Sequence, residues 1–433
     1  MKRRCVIFTL LTLCLSASSI CQAEDFTPLF NGRDLDGWVN VNCAPNTWTV
    51  ENDMIVCTGI PTGVLRTERM YENFVLELDW RHTVDGGNAG LFVHADALPG
   101  PGMPFTRTFE CQILDNNHGD IFGIGGPRMT PDKPHPKGRA LSLPAEKRSN
   151  PEGEWNHYRI VSRDGMLTLA VNGEIVTKAY HLNPRKGYIC LESEGSLVYF
   201  KNIQIKELPG SNPPPAAVAK EAEGFRSLYN GIDLTGWKMP KGSEGHWTAK
   251  NWILDYDGKS DAEGEEKHLW SEEEFGDFIL IADFKLPGDP VEDTIPVILA
   301  DGSSAVDEDG EPVTVTVMDA GDSGIYLRGS SEAQLNIWNW PVGSGEIWGY
   351  RTNMDLPAEV RRAATPILNA DNPVGSWNRF EITCIGEVVT VVLNGKTVLD
   401  KARLPGLPKR GPIALQHHGD PVQFANIFVK ELD

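Results

Sequence analysis

Positive charge is scarce in this sequence of 433 residues. Lys and Arg number 40 against 60 Asp and Glu, which gives a formal net charge of −20 at pH 7. Binding to a phosphate backbone or to anionic lipid headgroups requires clustered Lys and Arg. The composition therefore argues against nucleic acid and against an anionic membrane surface as partners, and the acidity favours solubility.

Apolar runs long enough to cross a bilayer are also missing, since a spanning helix needs about 20 apolar residues. The apolar run at residues 5–15 is shorter, follows Lys2–Arg4, and precedes Cys21–Ala23, which offers small residues to a signal peptidase. A lipid anchor on the first of these three residues is the alternative, which Ile20 disfavours. We predict that residues 1–23 are a signal peptide and that the mature protein is exported to the periplasm or the extracellular space.

Cysteine becomes rare once the predicted signal peptide is set aside. The five that remain are Cys43, Cys57, Cys111, Cys190 and Cys384. No CxxC motif and no Cys/His pair has the spacing of a zinc site. Cys43 and Cys57 flank a short extended segment, so they could form a disulfide in an oxidising compartment.

Helical periodicity never persists beyond two or three turns, and short alternating runs take its place. In the run at residues 74–81 one face is apolar and the other is charged; the two faces are Phe74, Leu76, Leu78 and Trp80, and Glu77, Asp79 and Arg81. The dipeptide Asn172-Gly173 between two apolar runs predicts a β-hairpin. The pattern predicts all-β domains built as two-sheet sandwiches.

One motif occurs twice and divides the chain. The sequence FNGRDLDGW at residues 30–38 returns as YNGIDLTGW at residues 229–237, and later landmarks keep a similar offset. A period this long indicates two whole domains, because solenoid repeats are far shorter. We predict a first domain at residues 24–208, a Pro/Ala-rich linker at 209–223 and a second domain at 224–433.

The densest group of chemically active side chains follows Phe109. Glu110 and Gln112 would share one face of a strand, whereas Asp115 would face the other way unless a bulge turns it. A carboxylate in an otherwise apolar strand indicates a partner or a function. His118 follows closely, and His94 shares a predicted face with Gly90 and Phe92; each histidine is either a base or a hydrogen-bond anchor.

Glu192 and Glu194 form a second acidic pair, on one face of the run that ends the first domain. They are candidate site residues, and pairing with Arg81 or Lys201 is the alternative. For Glu77 and Asp79 we favour a plain solvent face.

The repeat provides an internal comparison. Aligning the two copies sets Glu110 against Gln334, Gln112 against Asn336 and Asp115 against Asn339. Amides can bind a sugar hydroxyl but cannot take up a proton at neutral pH. We therefore assign any catalysis to the first domain.

These motifs together resemble the 3-keto-disaccharide hydrolase domain family. The resemblance rests on FNGxDLxGW, the NAGLFV strand, ExQxxD, EWNxY, VNGE and the closing GYICLESEG and FKNI segments. It covers both domains and is looser in the second, where Gln334, Asn336 and Asn339 depart from the pattern. It implies two concanavalin A-like lectin/glucanase jelly-roll domains in tandem. It also implies a glycoside substrate oxidised to a ketone at C3, cleaved by proton abstraction at C2, elimination at C1 and hydration.

The resemblance implies roles for the candidate residues. Glu110 or His94 would be the base, and His118 or Glu194 the acid. The candidates for contacts with the substrate and its enolate are Arg81, Gln112 and Glu192. A divalent cation, calcium or another, could also hold the enolate, bound by Glu110, Asp115 and a histidine.

Two other functions fit the same sequence. A carbohydrate-binding module without turnover would use aromatic and amide side chains, for which Trp338 and Asn339 of the second domain are candidates. A retaining glycosidase of the laminarinase type would need two carboxylates about 5 Å apart across the bond. Glu110 and Asp115 are not guaranteed to have that separation.

Overall fold

A computed structural model describes residues 25–264 and 267–432. The predicted signal peptide, residues 1–23, lies outside the described residues. Regular structure is almost entirely β, and it forms two separate pairs of antiparallel sheets. The predicted fold class, two concanavalin A-like jelly-roll sandwiches in tandem, is confirmed.

The first domain contains two sheets that pack face to face. Its strands are β1 (Thr27–Pro28), β2 (Trp38–Asn40), β3 (Trp48–Glu51), β4 (Met54–Cys57), β5 (Gly63–Thr67), β6 (Phe74–His82), β7 (Gly90–Ala95), β8 (Thr108–Gln112), β9 (Ile121–Ile124), β10 (Arg128–Pro131), β11 (Leu141–Ser142), β12 (Asn156–Arg163), β13 (Met166–Val171), β14 (Glu174–Asn183), β15 (Tyr188–Ser193) and β16 (Val198–Glu207). Sheet A has the order β10-β14-β13-β12-β6-β16-β4-β3, with β1 beside β16. Sheet B has the order β11-β9-β8-β7-β15-β5-β2.

The second domain repeats this plan and adds a hairpin and two short helices. Its elements are β17 (Arg226–Ser227), β18 (Trp237–Lys238), β19 (Trp247–Lys250), β20 (Ile253–Tyr256), β21 (Leu269–Phe275), β22 (Phe278–Lys285), β23 (Val291–Pro296), β24 (Thr314–Asp319), β25 (Ser323–Tyr326), β26 (Gln334–Ile337), α1 (Trp348–Thr352), α2 (Ala358–Ala363), β27 (Asn378–Ile385), β28 (Val388–Leu393), β29 (Lys396–Arg403), β30 (Gly411–Leu415) and β31 (Val422–Glu431). Sheet C has the order β19-β20-β31-β22-β27-β28-β29, with β17 beside β31, and sheet D has the order β18-β21-β30-β25-β26. Strands β23 and β24 form a separate hairpin.

Strand β6 shows why the sequence folds into a sandwich. Its apolar positions Phe74, Leu76, Leu78 and Trp80 are at most 2% exposed, whereas the charged residues between them are partly exposed. Because alternate side chains of a strand point to opposite sides, this pattern turns one face of sheet A toward sheet B. The inner faces of the two sheets form one buried cluster, as the alternation predicts.

The doubled motif forms the same turn in both domains. Asn31 accepts hydrogen bonds from the backbone N–H groups of Arg33 and Asp34 at 2.8 and 3.0 Å. Asn230 makes the same two bonds in the second copy, both at 3.0 Å. Such side-chain bonds to the backbone stabilise turns, so the motif fixes the entry of each sandwich.

The Pro/Ala-rich segment at residues 209–223 packs on the first domain. The N–H of Arg185 donates to the carbonyl of Ala217, and the N–H of Ala219 donates to the carbonyl of Lys186. The backbone N–H of Lys220 also donates to a carboxylate oxygen of Asp96 at 2.7 Å. Hydrogen bonds therefore hold the second half of the segment against the first domain.

The five cysteines that the structure describes are free, buried thiols. The predicted disulfide between Cys43 and Cys57 is thus wrong. The Sγ of Cys43 contacts the carbonyl of Pro61 at 3.7 Å, and that of Cys57 contacts the N–H of Gly59 at 3.4 Å. Burial raises the pKa of Cys57 to about 11, so this thiol stays protonated at neutral pH.

Within residues 25–264 and 267–432, none of the helices has the length and hydropathy of a membrane span.

Candidate active site

Two glutamates of sheet B point away from the sandwich core. Their neighbours in sequence, Cys111 and Leu191, lie in the buried cluster between sheets A and B. Side chains alternate along a strand, so Glu110 of β8 and Glu192 of β15 lie on the opposite, outer face of sheet B. Gln112 shares this face two residues further along β8.

The strand register brings these side chains together over Gly90. Gly90 pairs with Gln112, and the adjacent Leu91 pairs with Leu191. A Cβ atom at Gly90 would stand 2.5 Å from Oε2 of Glu192 and 2.7 Å from Oε1 of Glu110. The two carboxylates therefore converge above this glycine, and any larger residue there would displace them.

The converging oxygens are buried and unsatisfied. Glu110 is 5% exposed and Glu192 1% exposed. Oε1 of Glu110, Oε2 of Glu192 and Oε1 of Gln112 have no hydrogen-bond partner among the residues that the structure describes. Leaving buried polar atoms unpaired costs about 1–3 kcal/mol each, and more for charged groups, so such a group is expected where a ligand binds.

Burial changes the protonation of this pair. It raises the pKa of Glu110 well above the usual range, and the nearby carboxylates of Glu194 and Asp120 raise it further. Burial likewise raises the pKa of Glu192, with added repulsion from Glu110 and Glu194. Because neighbouring like charges cannot both ionise easily, the pair can hold one proton and offer an acid and a base together.

Asn88 links the buried pair to the rim of the site. Its side-chain amide donates to Oε2 of Glu194, and its Oδ1 accepts from the amide of Gln112 at 3.3 Å. Its backbone N–H donates to the hydroxyl of Ser196 at 2.6 Å. Burial raises the pKa of Glu194 even though the bond from Asn88 lowers it. Glu194 is thus a third carboxyl group with a raised pKa at the same site.

Asp120 is a site residue that the sequence pattern did not reveal. Its carbonyl accepts the N–H of Gln112 at 3.0 Å, which places it opposite the end of β8. It is 4% exposed, and burial raises the pKa of its carboxyl group to about 6. The sequence carried no signal for it, because its position depends on the register between β8 and β9.

His94 does not lie with the carboxylates. Its backbone has a φ of +55°, and β7 has one more residue than β15 at this point, so a β-bulge reverses the direction of its side chain. Its Nε2 lies 2.8 Å from the hydroxyl of Ser162, and its ring packs on Phe74 of the sandwich interior. The prediction that His94 shares a face with Gly90 is therefore wrong, and the structure does not support it as the base.

His118 anchors a loop. Its Nε2 accepts the backbone N–H groups of Arg148 and Ser149 at 3.2 and 2.9 Å, and its ring lies near Trp80 of the inner face of sheet A. Burial and the nearby Lys147 lower the pKa of this imidazole to about 4. A neutral ring that accepts two backbone bonds is a poor proton donor, so the geometry does not favour His118 as the acid.

Arg81 lies on the far side of the sandwich. Its guanidinium stacks over Trp155 at 4.7 Å and over Tyr199 at 5.1 Å, on the outer face of sheet A. The prediction that Arg81 contacts the enolate is corrected, because both sheets separate it from Glu110. On the same face Glu77 pairs with Arg159, and Asp79 with His157, as expected of a solvent face.

Asp115 belongs to another group of carboxylates. In the described part of the chain, oxygens of Asp85, Asp115 and Glu152 lie within 4.8 Å of one another, and Glu110 is not among them. Asp115 follows the end of β8, and its Oδ2 accepts the N–H of Gly86 at 3.2 Å. The predicted cation site of Glu110 with Asp115 is therefore corrected: the end of the strand turns Asp115 toward a different loop.

The second domain carries the counterpart of this site. Gly324 pairs with Asn336 and Tyr326 with Gln334, the register that Gly90 and its neighbours have in sheet B. The amide of Gln334 donates to Asn336 and, at 2.9 Å, to Oε1 of Gln416. The amide of Gln416 donates to the hydroxyl of Tyr326 at 3.2 Å. These amides satisfy one another, whereas the carboxylates of the first domain do not.

Trp338 and Asn339 have structural contacts. The indole N–H of Trp338 donates to the carbonyl of Gly343 at 2.8 Å, and its ring stacks on Trp340 with centroids 4.0 Å apart. The side chain of Asn339 accepts the N–H of Ala320 at 2.9 Å and so holds the end of the β23–β24 hairpin. The structure does not bring either residue to the amide network, so it does not support them as sugar-binding residues.

Comparison with known proteins identifies the family of both domains. The model of the 3-keto-alpha-glucoside-1,2-lyase-like domain matches residues 25–206 and again residues 224–430. The chain is 24% identical over 238 residues to a 3-keto-disaccharide hydrolase of Bacteroides thetaiotaomicron, covering 43% of this chain and 79% of that protein.

Solved structures similar to the chain each match a stretch of about one domain. A candidate glycosyl hydrolase of Parabacteroides distasonis is 28% identical, with 43% of this chain and 95% of that chain covered and a TM-score of 0.36. A β-glucanase of Bacillus licheniformis is 13% identical, with 43% and 98% covered and a TM-score of 0.28.

Proposed function

The chain belongs to the 3-keto-alpha-glucoside-1,2-lyase-like domain family, and we propose that its first domain cleaves 3-keto-glycosides by elimination and hydration. The observation that carries the proposal is the convergence of Glu110 and Glu192 above Gly90, each with an unsatisfied buried oxygen. A site for proton transfer at a sugar carbon needs such a pair of carboxyl groups with different protonation states.

The chemistry follows from the ketone at C3. The carbonyl acidifies the hydrogen on C2, so a base can remove that proton and leave an enolate. The enolate re-forms the ketone while the bond from C1 to the leaving oxygen breaks, and a general acid gives that oxygen a proton. Water then adds across the resulting double bond between C1 and C2. The sum is hydrolysis, and no redox cofactor is consumed.

The geometry suggests a role for each carboxyl group. Glu110 is the base, because it is slightly less buried than Glu192 and has an oxygen free to face C2. Glu192, nearly inaccessible and facing two other carboxyl groups, keeps its proton and donates a hydrogen bond to the enolate oxygen. Glu194 at the rim protonates the leaving oxygen. Gln112 has a free Oε1 that can accept a sugar hydroxyl.

A retaining glycosidase acting on the unoxidised glycoside is the second candidate. The same convergence of two carboxylates above Gly90 favours it, because such enzymes place an acid and a nucleophile about 5 Å apart. The two reactions differ at C2. Elimination exchanges the C2 hydrogen with solvent, whereas displacement at C1 leaves that hydrogen in place.

The experiment is incubation of the full chain in D2O with 3-keto-glucosides and with their unoxidised parents, side by side. We expect cleavage of the keto substrates with deuterium at C2 of the released sugar. Glu110→Gln is the control for non-enzymatic elimination. Cleavage of the parents without deuterium at C2 would support the retaining glycosidase. Binding of both series without turnover would reduce the protein to a carbohydrate-binding module.

Export is part of the proposal, because a basic segment, an apolar run and small residues begin the chain. We expect processing after Ala23 and recovery of the mature protein from the periplasm or the medium. Mass measurement of the mature N-terminus checks this, and an intact N-terminus on a protein retained in the cytoplasm would contradict it.

A further inference from the structure

The outer face of sheet B is divided into two halves. One half carries the carboxylates, and the other is apolar and buried against the second domain. The buried cluster of this second half consists of Val41, Val64, Phe92, Ala95, Ala97, Tyr188, Cys190 and Phe428. Phe428 belongs to β31 of sheet C, and Ile281 of β22 packs against the same cluster. Sheet C therefore covers the part of sheet B that adjoins the carboxylates.

A buried ion pair of the second domain holds a loop of the first. The carboxylate of Asp283 is fully buried and accepts from Nε of Arg379 at 2.6 Å and from the side chain of Asn426 at 2.7 Å. It also accepts the backbone N–H of Gly102 at 2.8 Å. A charged acceptor strengthens such a bond, so this contact fixes the loop between β7 and β8 on sheet C.

The same loop reaches the candidate site. Arg379 donates to the carbonyl of Pro99 at 2.9 Å, and Asn426 donates to that of Met103 at 2.8 Å. Two residues later, Phe105 packs edge-to-face on Phe92, with centroids 5.8 Å apart. Phe92 is the strand partner of Glu110. An unbroken series of contacts thus runs from the ion pair to the strand position beside the proposed base.

The apolar outer face of sheet C that covers sheet B is called the docking face here, and it includes Ile281 and Phe428. Comparison of the two copies shows that the first domain has no such face. Ile281 pairs with Phe428 across β22 and β31, and the equivalent pair of the first domain is Glu77 with Gln204. The first domain thus has polar side chains, bonded to each other at 3.0 Å, where the second has apolar ones. The residue types at these two positions therefore distinguish the solvent-exposed face of sheet A from the docking face of sheet C.

The ion pair has a counterpart as well. Asp79 of the first domain bonds His157 at 2.8 Å and also bonds Asn202. These three residues occupy the positions of Asp283, Arg379 and Asn426. However, Asp79 is partly exposed, His157 and Asn202 are more exposed, and within residues 25–264 and 267–432 they bond no loop of the other domain. The described contacts therefore assign the anchoring function to one copy of a shared motif.

We propose that the second domain is a positioning element for the first domain's site, acting through the loop at residues 96–107 and through Phe92. The role rests on the proposed function, since the site it positions is the one assigned there. The second domain supplies no group to the reaction; it fixes the apolar half of the outer face of sheet B, in which Phe92 is the strand partner of Glu110.

The test replaces the docking face of the full chain by its first-domain counterpart, in the double variant Ile281→Glu and Phe428→Gln. We expect faster amide exchange at residues 99–107 and in β8, and a loss of at least tenfold in kcat/KM, carried mainly by KM. The loss falls on KM because the variant leaves the reacting carboxyl groups chemically unchanged and loosens only the segments that position them. The single variant Ile281→Val keeps an apolar side chain, so its amide exchange and its kcat/KM should equal those of the wild type.

A second variant perturbs the same contact from the first domain. A Cβ on Gly102 would stand 2.4 Å from the side chain of Trp377, at a backbone φ of +65°. Gly102→Ala should therefore reproduce the loss without altering the second domain. Asp79→Asn, at the partly exposed counterpart of Asp283, is the matched control and should change neither exchange nor KM.

Three outcomes would overturn the proposal. They are unchanged exchange of the loop in both variants, a loosened loop with unchanged kcat/KM, and an equal effect of the control. A wild-type protein that turns over no glycoside would end the proposed function instead. The exchange of β8 then decides the positioning role by itself, and unchanged exchange there would reject it.

Discussion

The two domains place different residues in one geometry. In sheet B, Glu110 and Glu192 lie buried with unsatisfied oxygens, whereas Gln334 and Gln416 occupy the same positions of sheet D and bond each other. The first arrangement is unfavourable until a ligand or a proton satisfies it. In the second, the amides bond one another, and Asn336 also donates to Oε1 of the buried Glu346 at 3.2 Å. The comparison indicates that the buried carboxylates cost the first domain stability, whereas the amides at the same positions of the second domain form a stabilising network.

The outer faces of sheet A and sheet C also differ: the first is polar, and the second is apolar where it meets the first domain. The outer face of sheet A is polar and pairs its own charges, as Glu77 does with Arg159. The outer face of sheet C presents Ile281 and Phe428 to the first domain. The pair of glutamates above a strand glycine thus lies in the first domain, and the apolar outer face lies in the second. Under our two proposals, the first domain carries the reaction and the second positions its site.

The largest expected effect separates the two copies directly. Glu110→Gln keeps the shape and the hydrogen-bonding capacity of the side chain but removes the proton acceptor. Turnover of 3-keto-glucosides should therefore fall by a factor on the order of 10²–10⁴ with the fold intact. Gln334→Ala, at the equivalent position, should leave kcat within about twofold of wild type. Steady-state kinetics on purified full-length variants measures both.

Two results would contradict this assignment. One is a folded Glu110→Gln protein with wild-type turnover, and the other is a large loss of kcat on changing Gln334. In the first case Glu192 becomes the leading base, because its carboxylate faces the same space above Gly90.

A smaller effect concerns stability. The pair of Glu110 and Glu192 still holds at least one proton in the folded state at pH values where the unfolded chain, with a glutamate pKa of about 4.3, has released both. The free energy of unfolding should therefore decrease as the pH rises above about 4.3, until the folded-state pKa is passed. Replacing both glutamates by Gln removes this contribution. The double variant should match wild type near pH 4 and exceed it at pH 8 by at least about 1 kcal/mol.

Urea unfolding followed by tryptophan fluorescence at several pH values measures this difference. Glu77→Gln is the control, because that carboxylate is paired with Arg159 on the outer face of sheet A. It should give no gain at pH 8. A double variant that is less stable than wild type at pH 8 would show that the buried carboxylates are satisfied in solution.

The fold could be predicted because local signals agree with one another. The alternation of Phe74 to Trp80, the hairpin dipeptide Asn172-Gly173 and the doubled entry turn are each a short-range pattern with a direct structural cause. In the structure Asn172 and Gly173 take positive φ values of 48° and 95°, as a tight hairpin requires. The correspondence between Glu110 and Gln334 could be predicted for the same reason, and the register confirms it: Glu110 pairs with Phe92, and Gln334 pairs with Tyr326.

The site could be predicted only where the strands stay regular. Glu110, Gln112 and Glu192 were found from alternation, which a regular strand preserves. His94 was misplaced because a β-bulge reverses its side chain, and a bulge leaves no clear mark in one sequence. Arg81 was misplaced because alternation says which residues share a face but not which sheet that face belongs to. Asp120 was missed because its place depends on the register between two strands.

The smallest expected effect concerns the outer faces of sheets A and C, where both domains have a cation over a tryptophan ring. Arg81 stacks over Trp155, and Lys285 takes the equivalent place over Trp377 at 5.0 Å. Neither contact faces the carboxylates, so Arg81→Ala should leave kcat/KM within about twofold of wild type and lower the free energy of unfolding by about 0.5–1 kcal/mol. Lys285→Ala should lower it by a similar amount. Steady-state kinetics and urea unfolding on the two variants test these values. A tenfold loss of kcat for Arg81→Ala would show that Arg81 takes part in the site and would contradict its placement on the outer face of sheet A, away from Glu110.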